Sequence, residues 1–241
     1  MTPANRYSPE WFARFPQRIP PEQTRREVAF VDGQLEPGSF LLDLPCGAGR
    51  HAAPLAAAGH RVLAADRETT LLGSIAEPLE PLLQWIAADM RALPLAPGRL
   101  DAIVCLWQSF GYFESAENAR VLQQWRALVR PGGRLVLDMY HRGFFERHQG
   151  ERQLDHDGER VRETKALHGD RLVVDLAYER TGHRERFDWQ VFAPDDFTTF
   201  AARCGWVLRL ACSGFDAGLR PDPERSRVQY VLERPAARGH P

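Results

Sequence analysis

Short apolar runs alternate with longer amphipathic stretches through the first 140 residues. The runs Phe40 to Leu44, Arg61 to Ala65, Leu83 to Ala88, Leu100 to Leu106 and Arg134 to Met139 are close to continuously apolar. That pattern predicts strands buried on both faces of a parallel sheet. Helical spacing lies between them. Over Glu22 to Leu35, Val28, Ala29, Val31 and Leu35 make an apolar face, and Arg25, Arg26 and Glu27 mark the wet one. An Ala-rich helix of about ten residues is expected to start near Gly49 and stop at Gly59. Further helices are expected over Glu68 to Leu79 and over 115–129, the latter with Ala119, Leu122, Trp125 and Val129 near one face.

After Phe145 the period changes to two. Leu172, Val174, Leu176 and Tyr178 alternate with polar or small residues, as do Phe187, Trp189 and Val191. This predicts half-exposed antiparallel strands, three of them, between about 151 and 193. Pro194-Asp195-Asp196 opens a helix to Arg203, and Trp206 to Ala211 and Ser226 to Glu233 predict two closing strands. Four segments follow: an arm over 1–21, rich in proline and aromatics and suited to a lid; a core over 22–150; an antiparallel insertion over 151–193; and a C-terminal 194–241 that completes the core sheet.

The chemistry concentrates in Pro45-Cys46-Gly47-Ala48-Gly49, at the carboxyl end of the first strand. Open α/β sheets bind ligands at that edge. Glycine lets the backbone bend sharply and lets a ligand lie against it. Asp66 closes the second strand, where a carboxylate accepts the hydroxyl protons of a ribose. The same turn satisfies G-x-G-x-x-A, so from these residues alone a dinucleotide and another nucleoside-containing ligand both stay open.

Composition narrows the classes. With 44% hydrophobic and 26% charged residues, the chain has the makings of a core. A net charge of −1 gives no basic field to draw it to nucleic acid or an anionic membrane. The charged stretch 146–188 balances Arg against Asp and Glu, which fits a wet sheet face or a homodimer surface better than an RNA-binding patch. Cys46, Cys105, Cys204 and Cys212 are too scattered for a zinc site and read as buried free thiols in a reducing compartment. The N-terminus lacks a signal-peptide apolar core, and no stretch approaches eighteen apolar residues. A cytoplasmic location follows as the expectation.

Five segments in order resemble the class I S-adenosylmethionine-dependent methyltransferases. Asp43-Leu44-Pro45-Cys46-Gly47-Ala48-Gly49-Arg50 is similar to that family's first motif, and LVRPGGRLVLD to its pre-strand-5 signature. Between them stand Asp66, Asp89-Met90 and LDAIVCLWQSFGYF. The SFGYF stretch and the insertion resemble bacterial small-molecule methyltransferases, including amino-sugar N-methyltransferases. The resemblance implies a Rossmann-like, seven-stranded, mostly parallel sheet with helices on both faces, plus the antiparallel insertion after strand 5. It also implies S-adenosylmethionine as cofactor and a small-molecule acceptor methylated on N or O. Asp43, Cys46, Gly47, Ala48, Gly49 and Arg50 would hold the cofactor, Asp66 its ribose and Asp89 its adenine. Arg67, Met90 and Leu106 would line the same site. One departure is Pro45, where the family usually has glycine. For a general base, His141 just past strand 5 is the first candidate, with Tyr112 and Tyr140 as alternatives. Arg142, Arg25 and Arg26 are candidates for a substrate carboxylate. Three rival readings share parts of this pattern: an RNA or protein methyltransferase of the same fold, a non-catalytic S-adenosylmethionine-binding module, and an NAD-dependent oxidoreductase.

Overall fold

The computed structural model describes residues 19–72, 81–156 and 158–236. Residues 1–18 of the expected arm and most of the helix expected over Glu68 to Leu79 lie outside these residues. Of that helix, a single 3-10 turn, Thr69–Leu71, is described.

The continuous apolar runs form the parallel strands they predict. They are β1 (Phe40–Asp43), β2 (Arg61–Asp66), β3 (Leu83–Ala87), β4 (Leu100–Cys105) and β5 (Val129–Tyr140). With β10 (Val207–Cys212) and β11 (Arg227–Glu233) they make a seven-stranded sheet in the order β10-β11-β5-β4-β1-β2-β3. Strand β11 runs antiparallel to both β5 and β10. Strand β5 starts at Val129, five positions before the predicted Arg134. Val129 pairs with Leu100, and the register then shifts before Ala102 pairs with Arg134. Gly133 sits in the shift, where a Cβ would come within 2.5 Å of the Asp101 carbonyl.

The continuous apolar pattern buries both faces. Leu42, Ile103, Cys105 and Leu137 point to one side, against Trp125 of α3 (Ser115–Leu128) and Phe197 of α5 (Pro194–Arg203). Leu41, Val104, Leu106 and Val136 point to the other. There they meet Phe30 and Val31 of α1 (Pro21–Asp32) and Leu55 of α2 (Ala52–Ala57). Helix α2 has six residues, fewer than the expected ten. Residues before it make turns, although the Ala53 N–H already donates to the Gly49 carbonyl at 3.1 Å. All four cysteines are free and buried. No helix among the described residues is long and apolar enough to cross a membrane.

A short helix, α4 (Arg142–Arg147), leads from β5 into the insertion. The insertion has four antiparallel strands where three are expected: β6 (Gly150–His156), β7 (Glu159–His168), β8 (Arg171–Tyr178) and β9 (Arg184–Gln190). Strand β6, GERQLDH, is an edge strand with polar residues on both faces, so no apolar alternation announces it. The insertion is tied to the loop after β4. The Gln190 N–H donates to the Gly111 carbonyl at 2.7 Å, and Arg171 donates to the Phe113 carbonyl at 2.6 Å. Gly111 has φ 102°, and a Cβ there would lie 2.6 Å from the Gln190 carbonyl oxygen, so only glycine fits this approach.

Candidate functional site

Strand order reverses between β1 and β4, and the carboxyl ends of β1, β2, β4 and β5 open into one cavity of about 570 Å³. Open α/β sheets bind ligands at such a switch point, and the volume suits a drug-sized ligand. The cavity runs from the loop after β1 to the inner face of the insertion. The insertion is thus a wall of the cavity.

The loop after β1 is shaped by its glycines. Gly47 and Gly49 have φ 53° and 87°, and the Leu44–Pro45 bond is cis. The Cys46 N–H donates to the Ala65 carbonyl, and the Gly49 N–H to the Cys46 carbonyl, both at 2.9 Å. Asp66 belongs to this loop as much as to β2. Its Oδ2 accepts from the Gly47 N–H at 2.8 Å and its Oδ1 from the Glu68 N–H at 2.9 Å. Burial raises the Asp66 carboxyl above its ordinary range, and these amide bonds oppose the rise.

Most of the sequence-predicted residues converge. Cys46, Gly47, Ala48, Arg50, Asp66, Arg67, Asp89, Met90, Leu106 and Tyr112 all line the cavity. Asp89 spends both carboxylate oxygens on the Arg91 side chain, at 3.0 and 2.6 Å. Burial lifts the Cys46 thiol far above its ordinary value, which makes it a packing residue and not a nucleophile. Gly49 and Asp43 lie beside the lining, not in it.

His141 is displaced from its expected place. It is 5% exposed and is absent from the cavity lining. Its Nδ1 accepts from the Gly143 N–H at 3.0 Å and caps α4. The first position past a parallel strand here serves the next helix, not the ligand. Arg142 pairs with Glu146 at 2.8 Å, and Arg25 with Glu22 at 3.0 Å, and neither lines the cavity. Tyr140 does line it.

Asp43 is fully buried, and its Oδ2 has no hydrogen-bond partner among the described residues. Burial pushes this carboxyl up from 3.8 to about 7, with Arg50 opposing the rise and Asp66 adding to it. A group raised in the folded state contributes stability that is full below its unfolded pKa and lost as pH climbs through the folded one. Asp43→Asn removes that loss. Chemical denaturation at pH 8 is expected to show the variant more stable than wild type, on the order of 1–4 kcal/mol, with the gap closing near pH 4. A variant less stable than wild type at pH 8 contradicts this reading.

Residues outside the sequence-predicted set organise the centre of the site. Glu27, expected on the wet face of α1, is fully buried. Its carboxylate accepts from Arg50 Nη1 at 2.5 Å and from Trp107 Nε1 at 2.9 Å, and lies 2.8 Å from His51 Nε2. Burial alone would raise this carboxyl, but the hydrogen bond and charge of His51 and the charge of Arg50 hold it at about 2. Burial lowers His51 itself. Trp107 and Gln108 both have left-handed backbones, with φ 60° and 55°. Such bulky residues cost about 1–3 kcal/mol each in that region and persist only where their surroundings hold them. Asp138, fully buried on β5, does this holding. Its Oδ2 accepts from the Trp107 N–H at 3.0 Å, and its carbonyl from the Gln108 N–H at 3.0 Å. Arg227 completes the frame by donating to Asp138 Oδ2. The Arg50 and Arg227 guanidinium carbons each stand 4.6 Å from the centre of the Trp107 ring.

Residues 41–133 match a family described as methyltransferase domain. The chain is 34% identical over 113 residues to a demethylmenaquinone methyltransferase from Renibacterium salmoninarum, a match covering 47% of this chain and 46% of that one. It spans about half the length of the curated relatives it matches. Among solved structures, the CcbJ methyltransferase from Streptomyces caelestis superposes with TM-score 0.78 at 20% identity, covering 90% of this chain and 91% of that one. The sugar N-methyltransferase KedS8 from Streptoalloteichus superposes with TM-score 0.69 at 22% identity, covering 95% and 93%. These likenesses establish the fold across the chain. The segment that matches the methyltransferase domain family holds Asp66, Asp89 and the Gly47–Gly49 turn.

Proposed function

We propose that this chain transfers a methyl group from S-adenosylmethionine to an N or O atom of a small molecule. One observation carries the reading: a single cavity joins the Gly47 turn and Asp66 to an aromatic chamber walled by Tyr112, Tyr140 and Trp189. The polar groups left over near the turn fit the cofactor. Arg50 Nη2 is a buried donor without a partner among the described residues, and it suits the cofactor's carboxylate. Asp66 would take the ribose hydroxyls, and Asp89, Met90, Arg67 and Leu106 would border the adenine half. When bound, the cofactor would supply an electrophilic methyl group on a positively charged sulfur.

The chain's own part is alignment and exclusion of water. The clamped Trp107–Gln108 turn fixes the wall between the cofactor loops and the chamber. Tyr112 lines the chamber and is the candidate base, able to take the acceptor's proton only as its phenolate; His141 lies outside the cavity lining. Tyr140, raised by burial, stays a phenol.

Incubation with methyl-labelled S-adenosylmethionine tests the acceptor class. Label is expected in at least one member of a panel of aromatic acids, phenols and amines, and not in RNA or protein. Label only in RNA or protein contradicts the small-molecule reading.

A further inference from the structure

The insertion wall of the cavity leaves a cation and an N–H donor in excess, and together they select an acceptor. Strand register sets Lys165 opposite Val174 and Val174 opposite Phe187. Glu163 sits opposite both Arg152 and Leu176. One face of the sheet therefore carries these side chains, with Trp189 two positions beyond Phe187 on the same side.

Among the insertion residues that line the cavity the charges do not cancel, since Glu185, opposite Leu176 on the same face, lies outside the lining. The Glu163 carboxylate accepts from Lys165 Nζ at 2.9 Å and also from Arg152. Two cations around one acid leave a net positive wall. Lys165 is the single lysine of the chain, and it lines the cavity. The next cation along, Arg227, is already matched by Asp138. An ammonium on the acceptor would meet no uncommitted carboxylate among the described residues of this wall.

The aromatic groups define the rest. The Trp189 ring stands edge-on to Tyr140 at 5.4 Å, stacks on Phe187 at 5.6 Å and lies 6.5 Å from Tyr112. Trp189 is 4% exposed, and its Nε1–H has no partner among the described residues. An unmatched buried donor carries a desolvation cost that a ligand oxygen would remove.

We infer that the acceptor is a planar aromatic hydroxy acid. Its ring packs among Tyr112, Tyr140 and Trp189, its ionised carboxylate faces Lys165, and an oxygen accepts from the Trp189 indole. Calling this ligand the acceptor rests on the methyltransferase reading; the binding preference rests on the wall itself.

Three probes that share the 4-hydroxyphenyl ring and carry an anionic, a neutral and a cationic substituent test it: 4-hydroxybenzoate, 4-hydroxybenzamide and 4-hydroxybenzylamine, titrated into the whole chain with saturating S-adenosylhomocysteine. The benzoate is expected to bind about tenfold tighter than the amide, as one charge-assisted hydrogen bond provides, and the amine most weakly. Lys165→Met should bring benzoate and amide to nearly equal affinity. Trp189→Phe should weaken both alike. The inference is overturned if the amine or the amide matches the benzoate on the wild-type chain, if none of the three binds at millimolar concentration, or if Lys165→Met keeps the preference. The wild-type comparison decides should either variant fail to fold. S-adenosylhomocysteine affinity, read in the same samples, separates the two claims: unchanged cofactor binding with no charge preference sinks the acceptor class alone, and absent cofactor binding sinks the methyltransferase reading.

Discussion

Glu27→Ala is expected to cost about 3–5 kcal/mol of stability, the range for removing one partner of a buried ion pair. For a chain of this length that lowers the melting temperature by roughly 10 °C. The magnitude follows from what the carboxylate holds. Arg50 and His51 from the turn before α2 and Trp107 from the loop after β4 all direct polar hydrogens at it, and its own burial is complete. Removing it takes the counter-charge from the half-buried Arg50 guanidinium and strands an indole N–H, and it frees Trp107 from one of the bonds that offset its left-handed backbone. Glu27→Gln keeps the shape and loses the charge, so it should fall between the variant and wild type. The pH dependence has the opposite sense to that of Asp43. A carboxyl lowered from 4.5 to about 2 contributes stability that is present above 4.5 and lost as pH falls toward 2. Thermal melts at neutral pH check the prediction, and a shift of only a degree or two in Glu27→Ala would contradict it.

Asp66→Ala is expected to weaken S-adenosylhomocysteine binding by about two to three orders of magnitude. Two losses add. The ribose hydroxyls lose a charged acceptor, at about 1.5–3 kcal/mol for each hydrogen bond to a charged group. The Gly47 amide loses the carboxylate oxygen 2.8 Å away that fixes the turn. Asp66→Asn keeps one acceptor oxygen and should lose less. Titration of both variants measures this, and affinity within a few-fold of wild type for the alanine variant would remove Asp66 from the cofactor site.

The parallel core was legible because its strands are buried on both faces, so each is a nearly continuous apolar run that needs no knowledge of its neighbours. The Gly47–Gly49 turn and Asp66 were legible for a similar reason, since one short β-turn-α-β unit contains them. Glu27 was not. Its partners Arg50 and Trp107 are 23 and 80 positions away, and its charge outweighed its place in the period. It stands three positions before Phe30 and four before Val31, the buried pair of α1, and that spacing was the available signal. His141 shows the converse. It does follow β5 directly, but the backbone there turns at once into α4 and the ring caps it. Trp107–Gln108 left no local trace, because neither residue type favours a left-handed backbone and the acid that holds them, Asp138, sits on another strand. Strand β6 was missed because an edge strand with polar residues on both faces has no apolar alternation to read.

The central claim is that the cavity at the carboxyl ends of β1, β2 and β4 is built for S-adenosylmethionine. Titration calorimetry of the whole chain with S-adenosylhomocysteine, and separately with NAD, tests it most directly. Saturable binding of one S-adenosylhomocysteine per chain, with no heat from NAD at millimolar concentration, is the expected result. Binding of NAD in the absence of any response to S-adenosylhomocysteine would contradict the account.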